Sequence, residues 1–455
     1  MSVAAASSET ETANPVTARE LTALALSIAL VPLNSTMLAV ALPSIGDDIG
    51  VPPAALTQWL VTGYLLVAIM LQSPAGKLAD SIGHRRALML GQVIFATGAI
   101  LGYLSPGLSG LVVARGLLAA GGAVMVPSAM ATLRTRLPAA RRGQAFGAFG
   151  AVMGLAAAIG PIVGGELAAH LGWRSLFSVN APPIVLAALL GLSHRGRVEA
   201  RKPFRADLVG SLLLAGGLAV LVFASRAKAH GLALAGTGVV ALTLFVLWER
   251  RIADPVVDLS LFARPVFSAS TAIIALQNLA MYALLMALPI VLTRAFHVGS
   301  AEVGRTLVAM TLAMVVASLA GGRIADRVGA RLTAAIGASV AALGMLAAAT
   351  VPLASARDLL VPLSLLGLGL GLTTPSAQAA GLDAVPPERS GMAAGVSSTM
   401  RYLGGVVGVA IVSGLLATGE PVARYRLAAF VFTGVLVLAL GATLLLPSRI
   451  VSKRR

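Results

Sequence analysis

The sequence has no cysteine among its 455 residues, which excludes disulfide bridges, thiolate nucleophiles and cysteine-ligated metal sites. Charged residues are also scarce, at 11% of the chain, whereas 57% is hydrophobic and the mean hydropathy is +0.90. A soluble domain carries about 25% charged residues. This composition therefore indicates a helical protein that crosses a membrane many times.

Motifs of enzymes are missing as well. No Gly-x-x-x-x-Gly-Lys-Ser/Thr occurs in the chain, and its five histidines show no metal-binding spacing. A membrane enzyme or a sensor would need a catalytic cluster or a soluble output domain, and neither is visible in the sequence. We therefore expect no enzyme activity, no metal and no cofactor.

The charge that is present is basic, with 34 Lys and Arg against 18 Asp and Glu. In a soluble protein this excess would suggest nucleic acid as a partner. Here the basic residues fall in short loops between apolar runs, where they set topology and face anionic lipid. We expect a lipid bilayer, and no nucleic acid, as the partner of this surface.

Apolar runs of about 18 to 25 residues, long enough to cross a bilayer as helices, recur along the chain. We count about fourteen, which predicts an all-α polytopic protein with two six-helix bundles and two intervening helices. The predicted parts are a cytoplasmic tail (1–20), the first bundle (21–193), a linker (194–206), two additional helices (207–248), a linker (249–266), the second bundle (267–447) and a basic tail (448–455). Most Lys and Arg lie on the side of both termini, which predicts cytoplasmic termini in an inner (plasma) membrane.

Two polar inserts with paired glycines interrupt the apolar runs. The first runs from Gly76 to Arg86 (GKLADSIGHRR) and the second from Gly322 to Arg331 (GRIADRVGAR). We call them the first and second signature loops and expect each to be a tight, water-facing loop. Their separation of about half the chain predicts two homologous bundles with a transport site between them.

The signature loops resemble the signature loop of the major facilitator superfamily. The segment 154–165 resembles the antiporter motif of its drug exporters, through Gly154, Gly160, Pro161, Gly164 and Gly165. Three further segments look like those of the fourteen-span drug:proton antiporters: 33–43, 59–64 and 173–182. The resemblance covers nearly the whole chain from Leu21. It implies an exporter of lipophilic drug-like or antibiotic compounds that works by alternating access and proton antiport, and we expect a monomer.

Two departures from the family pattern affect the expected mechanism. Many of these antiporters carry Asp where this sequence has Asn34, so a proton-carrying role cannot be transferred to that position. The tetracycline-exporter branch resembles this sequence in having Asn there. On the fourth helix Arg115 is kept, but Leu118 and Ala119 stand where Gln and Gly are usual.

The signature loops predict a conformational latch. Asp80 and Asp326 can accept hydrogen bonds from backbone N–H groups or from Arg at a neighbouring helix end. The latch residues are Gly76, Asp80, Gly83, Arg85, Arg86, Gly322, Asp326 and Gly329. The alternative is that the arginines only set topology. The glycines of the antiporter motif likewise leave two readings, ordinary helix packing or control of leakage by contact with the other half.

Ionisable groups within spans predict function because an unpaired charge in hydrocarbon is costly. Arg115, Glu166 and Arg401 are such groups. Arg115 and Glu166 lie at a similar depth to Asn34, roughly 7 to 13 Å below the outer end of their helices at about 1.5 Å per residue. Arg115 and Glu166 are therefore expected to pair and to couple proton movement to transport, unless Glu166 only reaches outer water. For Arg401 the expected partner is Asp383 or a backbone carbonyl.

The expected substrate cavity combines polar and aromatic side chains from both bundles. Its candidates are Gln58, Trp59, Tyr64, Gln277, Asn278, Tyr282 and Arg401. Only 4% of the chain is aromatic, which favours a small lipophilic molecule held mostly by apolar contact. The polar candidates could instead bond across helices. A narrow-substrate or tetracycline-like exporter, an importer and a channel remain alternatives.

Overall fold

The computed structural model describes residues 17–192, 207–224, 231–252, 255, 257–296, 300–416 and 420–448. Its α-helices are α1 (Ala18–Ile49), α2 (Pro53–Leu56), α3 (Gly63–Ile82), α4 (His84–Leu104), α5 (Leu108–Arg136), α6 (Ala139–Leu171), α7 (Ser175–Ser178), α8 (Ala181–Leu192), α9 (Leu208–Ala224), α10 (Gly231–Glu249), α11 (Pro265–Phe296), α12 (Ser300–Val328), α13 (Ala330–Thr350), α14 (Leu360–Asp383), α15 (Ser390–Leu415) and α16 (Pro421–Thr443). The expected all-α class is confirmed, with no strand in the described ranges.

Twelve helices of the described residues are long and apolar enough to span a membrane, so the fourteen-span count is not confirmed. The two expected spans that fall short are the sixth and seventh. The sixth is broken at Val179 and Asn180 into α7 and α8, and the seventh is covered only by the 17 residues of α9. The tails and the linker at 194–206 lie almost wholly outside the described residues. The domain boundaries therefore stay predictions.

Large apolar side chains cover the outside of the helices, as expected of a surface in contact with lipid. The exposed ones include Leu212 on α9, Leu232 on α10 and Val361 on α14. Such a surface would aggregate in water. Together with the long apolar helices, it identifies a multi-pass membrane protein.

Helices from the two ends of the chain pack into two halves. In the N-terminal half α4 packs on α5 and α1 on α6, and in the C-terminal half α13 packs on α14 and α11 on α15. The halves meet through α3 against α15 and through α6 against α12. The pair α9 and α10 packs together, with α9 resting against α3.

Each signature loop is more helical than the sequence suggested. Gly76 to Ile82 forms the last turns of α3, and the chain reverses at Gly83 alone, which has φ of 91° before α4 begins. Gly329, with φ of 99°, does the same between α12 and α13. A residue with a Cβ rarely adopts this backbone conformation, so glycine is required at both turns. The tight loop expected at each insert is therefore a single glycine, and most of each insert belongs to the flanking helices.

Candidate functional site

Asp80 joins the two halves at the end of the molecule where both signature loops lie, which we call the loop side. Its two carboxylate oxygens accept hydrogen bonds from the backbone N–H groups of Gly391 and Met392, each at 2.7 Å. These groups belong to the first turn of α15, where backbone N–H groups have no partner within the helix and the helix dipole favours a negative charge. His84 lies 3.8 Å from the same carboxylate.

Asp326 makes the corresponding contact in the opposite direction. It lies on α12 of the C-terminal half and accepts hydrogen bonds from Gly143 at 2.9 Å and Gln144 at 2.8 Å, near the start of α6. We call the Asp80 contact the first latch and the Asp326 contact the second latch. The structure therefore contains the two contacts between halves, and their role in transport stays a prediction.

Glycines let the helices of each latch approach to backbone contact. A Cβ at Gly76 would collide with the carbonyl oxygen of Gly391, and a Cβ at Gly322 would collide with the carbonyl oxygen of Gly143. A clash with backbone cannot be relieved by turning a side chain. Any side chain at either position would push the halves apart.

The segments whose backbone N–H groups donate to the two aspartates form a second repeat, which the sequence analysis missed. Residues 141–147 read RRGQAFG and residues 389–395 read RSGMAAG. The shared pattern is Arg-x-Gly-x-Ala-x-Gly, and its first glycine donates to an aspartate in each latch. Its last glycine packs on the backbone of the facing helix. A search for repeats beyond the signature loops would have found this signal.

A cluster of charges lies beside the second latch. Asp383, at the end of α14, is 3.0 Å from Arg134 and also pairs with Arg142. Arg134 donates in addition to the carbonyl oxygens of Leu382 and Val385. Since both arginines come from the N-terminal half, this cluster adds a third contact between halves. It also assigns Asp383 to these arginines, so the expected Asp383–Arg401 pair is wrong.

Two of the loop arginines donate to backbone carbonyl oxygens. Arg86 is exposed, and Arg85 donates to the carbonyl oxygen of Gly191 at 3.1 Å. Arg331 donates to the carbonyl oxygen of Leu446 at 2.7 Å, within the C-terminal half. These positions fit the alternative reading, in which the arginines anchor the loop side and set topology.

The glycines of the antiporter motif pack against two different helices. Gly154 faces Met314 and Val315 of α12, in the other half, whereas Gly160 faces Thr36 and Gly164 faces Met37, both on α1 of the same half. The expectation that this face packs on the other half therefore holds only for the first glycine. Gly165 is partly buried, and the side chain of Pro161 lies outside the described residues.

Arg115 is the largest side chain buried in the interior, with only 1% of its surface exposed. Its Nη1 donates to Asn34 Oδ1 at 2.5 Å, and its Nε donates to the carbonyl oxygen of Leu60 at 2.9 Å. Leu60 belongs to a π-helical turn over Thr57–Thr62. Such a turn frees carbonyl groups from the regular ladder. The guanidinium also lies 4.1 Å from the ring centre of Tyr64, a favourable cation–π geometry.

Tyrosines connect Arg115 to the C-terminal half. Tyr64 of α3 lies close enough to Tyr282 of α11 and Tyr402 of α15 for electrostatic interaction, and both of the latter also interact electrostatically with Arg401. Tyr282 and Tyr402 are partly exposed although they lie near the middle of their helices. We call these three tyrosines, Arg115 and Arg401 the interior cluster. The sequence missed Tyr402 because one tyrosine beside an arginine carries no signal of its own.

Amides complete the polar lining next to the interior cluster. Arg401 Nη2 donates to Gln378 Oε1 at 3.2 Å, and Gln277 Oε1 accepts from Thr374 at 3.3 Å one turn earlier on α14. Gln277 therefore bonds across helices, as the alternative reading of the polar candidates expected. Asn278 instead donates to the carbonyl oxygen of Ile274 on its own helix.

Glu166 is not a partner of Arg115. Its side chain is 73% exposed and lies 3.3 Å from His170, one turn further along α6. The expected Arg115–Glu166 pair is therefore wrong. The face of α6 that carries Glu166 points away from the interior of the N-terminal half.

Two other cavity candidates stand apart from the interior cluster. Trp59 is 48% exposed, and no contact with the cluster is found for it in the described residues. The side chain of Gln58 lies outside the described residues. At the end opposite the loop side, Trp173 Nε1 and Arg174 Nη1 both donate to Asp48, and these hydrogen bonds lower the pKa of that carboxyl group.

The chain is similar to a known protein family and to several named relatives. The model of the Major Facilitator Superfamily matches residues 24–276 and 270–455. The puromycin resistance protein pur8 of Streptomyces alboniger is 33% identical, over 87% of this chain and 80% of its own length. The tetracenomycin C resistance and export protein of Streptomyces glaucescens is 31% identical over 88% and 76%.

A further relative carries a different kind of name. The riboflavin transporter RibZ of Clostridioides difficile is 29% identical, over 87% of both chains. Among solved structures, the human organic anion transporter MFSD10 superposes with a TM-score of 0.69 at 17% identity, covering 93% of this chain and 99% of that one. At that identity the likeness establishes the fold alone. The family match spans nearly the whole chain, and this protein belongs to the Major Facilitator Superfamily.

Proposed function

We propose that the protein exports small lipophilic drug-like or antibiotic compounds from the cytoplasm, using the interior cluster as the binding site. The observation that carries the proposal is the position of this cluster. It draws residues from α3, α5, α11 and α15 of both halves, and it lies about midway along α11 and α15. That is where secondary transporters of this layout bind their cargo. The names of the antibiotic resistance relatives support export of drug-like compounds.

The latches suit the gate of such an exporter. Both Asp80 and Asp326 bridge the halves on the loop side, and Asp383 adds a third bridge beside them. Because the loop side carries most of the basic residues, we assign it to the cytoplasm. Substrate entry from the cytoplasm then requires all three bridges to open, and their closing commits the substrate to the other side.

Proton antiport is the proposed driving force. The chain has no phosphate-binding motif for nucleotide hydrolysis, which favours an ion gradient as the source of free energy. The Arg115–Glu166 pair no longer explains the coupling. The route of the proton therefore has to be found by experiment, beginning with transport in proteoliposomes under an imposed pH gradient.

The test of the function is a susceptibility panel in a bacterial host that lacks its own drug pumps. The wild-type chain should raise the tolerated concentration of several lipophilic antibiotics. A chain with Gly76→Ala should not, because its first latch cannot close, although immunoblotting shows equal protein in the membrane. Identical susceptibility of host, wild type and variant across the panel would refute export of drug-like compounds.

A narrow-substrate transporter is the second candidate. It is favoured by the riboflavin transporter among the relatives, which matches as much of this chain as the resistance proteins do. Uptake and efflux of labelled riboflavin in cells expressing the protein distinguish the two. Movement of riboflavin without any change in the drug panel would replace the multidrug proposal with this one.

A further inference from the structure

The interior cluster holds two cations, Arg115 buried and Arg401 partly buried, and no anion. Arg115 is bound by an amide oxygen, a carbonyl oxygen and the face of Tyr64, and Arg401 by the amide oxygen of Gln378. Among the described residues, no Asp or Glu forms a hydrogen bond or ion pair with either arginine. A charge within a membrane costs free energy, so two guanidinium groups without a carboxylate partner are expected to have a function.

Unused hydrogen-bond donors point to that function. Arg115 Nη2, Arg401 Nε and Gln277 Nε2 are buried without a partner, and so is the hydroxyl of Tyr64. Three of these four groups can only donate, so each needs an acceptor such as an oxygen of an anionic group, a carbonyl group or water. Arg115 and Gln277 are each 1% exposed. A buried donor left without an acceptor costs free energy that a suitable ligand recovers.

We infer that the transported substrate is an amphipathic aromatic anion, bearing a carboxylate, sulfonate or phenolate group, rather than a lipophilic cation. This inference rests on the proposed function. Its anionic group would accept hydrogen bonds from Arg401 and from the free donors, while its ring system would pack among Tyr64, Tyr282 and Tyr402. In a site of low dielectric constant, the two arginines attract such a ligand strongly and repel a cation.

Carboxylates elsewhere in the described spans do not neutralise the positive charge of the two arginines. Asp80, Asp326 and Asp383 are occupied by backbone N–H groups or arginines on the loop side. Glu166 lies on an exposed face of α6 beside His170. Asp207 and Glu249 are buried at the ends of α9 and α10. These two helices lie outside the two halves. The preference for an anion is therefore a property of the interior itself.

Two probes with nearly the same ring system test the charge preference. 1-Anilinonaphthalene-8-sulfonate is anionic, and N-phenyl-1-naphthylamine lacks only its sulfonate group. Ethidium serves as an aromatic cation. Binding of each to the full chain is measured in nanodiscs of zwitterionic phosphatidylcholine, with empty nanodiscs as the blank. We expect the anion to bind on the order of tenfold more tightly than the neutral probe, and ethidium most weakly.

Variants of Arg401 assign the preference to the cluster. Arg401→Gln should remove most of the tenfold advantage of the anion over the neutral probe, and thermal unfolding of the same preparation shows whether the variant folds. Arg401→Lys should keep much of the advantage because it keeps the charge. Arg357→Gln, at an exposed arginine of the same half, is the matched control and should behave as wild type.

The outcomes separate this inference from the proposed function. Equal binding of the two naphthyl probes, tighter binding of ethidium, or an anion preference that survives Arg401→Gln would overturn the inference, whatever the drug panel shows. Absence of binding by all three probes would overturn it as well. An anion preference confirmed in nanodiscs, with no export of any compound from cells, would refute the exporter and leave the anion site standing.

Discussion

The first and second latches are built alike on the backbone and differently in their surroundings. In each, an aspartate at the end of one helix accepts two backbone hydrogen bonds from the start of a helix in the other half, next to a glycine in backbone contact. Asp80 has His84 beside it, whereas Asp326 lies next to Asp383 and its two arginines. The backbone geometry is therefore the same in the two latches, and a side chain at either glycine would break it. The neighbouring charges differ between the latches.

The largest effect is expected from the glycines, since they determine whether either latch can close. Gly76→Ala and Gly322→Ala each place a Cβ against a backbone carbonyl, and we expect transport to fall at least about tenfold, because a clash with backbone typically costs more than about 1.4 kcal/mol. Transport of a fluorescent substrate into inverted vesicles measures this loss.

Matched glycines provide the control for that prediction. Gly116 on α5 and Gly434 on α16 have open space where a Cβ would stand, so Gly116→Ala and Gly434→Ala should transport as wild type. The chain has no cysteine, so spin labels at Ala140→Cys and Pro387→Cys, both exposed on the loop side, report the separation of the halves. An unchanged label distance in Gly76→Ala would contradict backbone contact as the reason.

The aspartates should have the next largest effect. Hydrogen bonds to a charged group contribute about 1.5 to 3 kcal/mol each, and Asn keeps one acceptor oxygen but loses the charge. Asp80→Asn and Asp326→Asn should therefore slow transport roughly tenfold while substrate affinity changes less than about twofold, since neither residue lies in the interior cluster. Affinity and turnover are measured on the same preparation. An equal loss of both would indicate misfolding or a direct role in binding.

Substitution of the charged residues beside the second latch tests how the two latches differ. Asp383→Asn and Arg142→Gln each remove a partly exposed ion pair, which contributes up to about 1 kcal/mol, so transport should fall only a few-fold. The effect of either substitution should depend on the state of Asp326 and not on that of Asp80, which a double-mutant cycle measures. Additive effects with both aspartates would mean that the two latches do not differ in this respect.

The smallest effect is expected far from both latches. Glu166→Gln changes an exposed side chain whose partner is His170, so we expect proton-coupled transport to stay within about twofold of wild type. Substrate-driven proton movement in proteoliposomes is the measurement. A loss of coupling with intact substrate binding would restore Glu166 as the proton carrier in a conformation other than this one.

Residue patterns predicted much of the loop side correctly. Repetition of the signature loops indicated two halves, and the aspartates were expected to meet backbone N–H groups at neighbouring helix ends, where the structure has them. The receiving segments, from Arg141 and from Arg389, were missed although they repeat too. Their signal is short and lies in helices that otherwise read as membrane spans.

The interior was predicted less well because depth in a helix does not determine direction. Arg115, Glu166 and Asn34 were expected at similar depth, yet of the other two only Asn34 contacts Arg115. A rotation of about 100° per residue separates faces of a helix that differ little in height. Gln277, a candidate cavity residue, lines the site and also accepts a hydrogen bond from Thr374 on another helix, which its sequence position did not indicate. Tyr402 and Gln378 reach the cluster from helices whose sequences gave no reason to select them.

The sequence by itself determined the class of protein, because long apolar runs with few charges fold only as membrane helices, and it determined the turns at Gly83 and Gly329, because the required backbone conformation belongs to glycine. Only the tertiary structure decided which charges meet. Asp383 pairs with Arg134 and Arg142 rather than with Arg401, and the two interior arginines have no carboxylate partner among the described residues. Such pairing depends on how helices far apart in the chain are rotated against one another, and that rotation is set by the packing of all their faces at once.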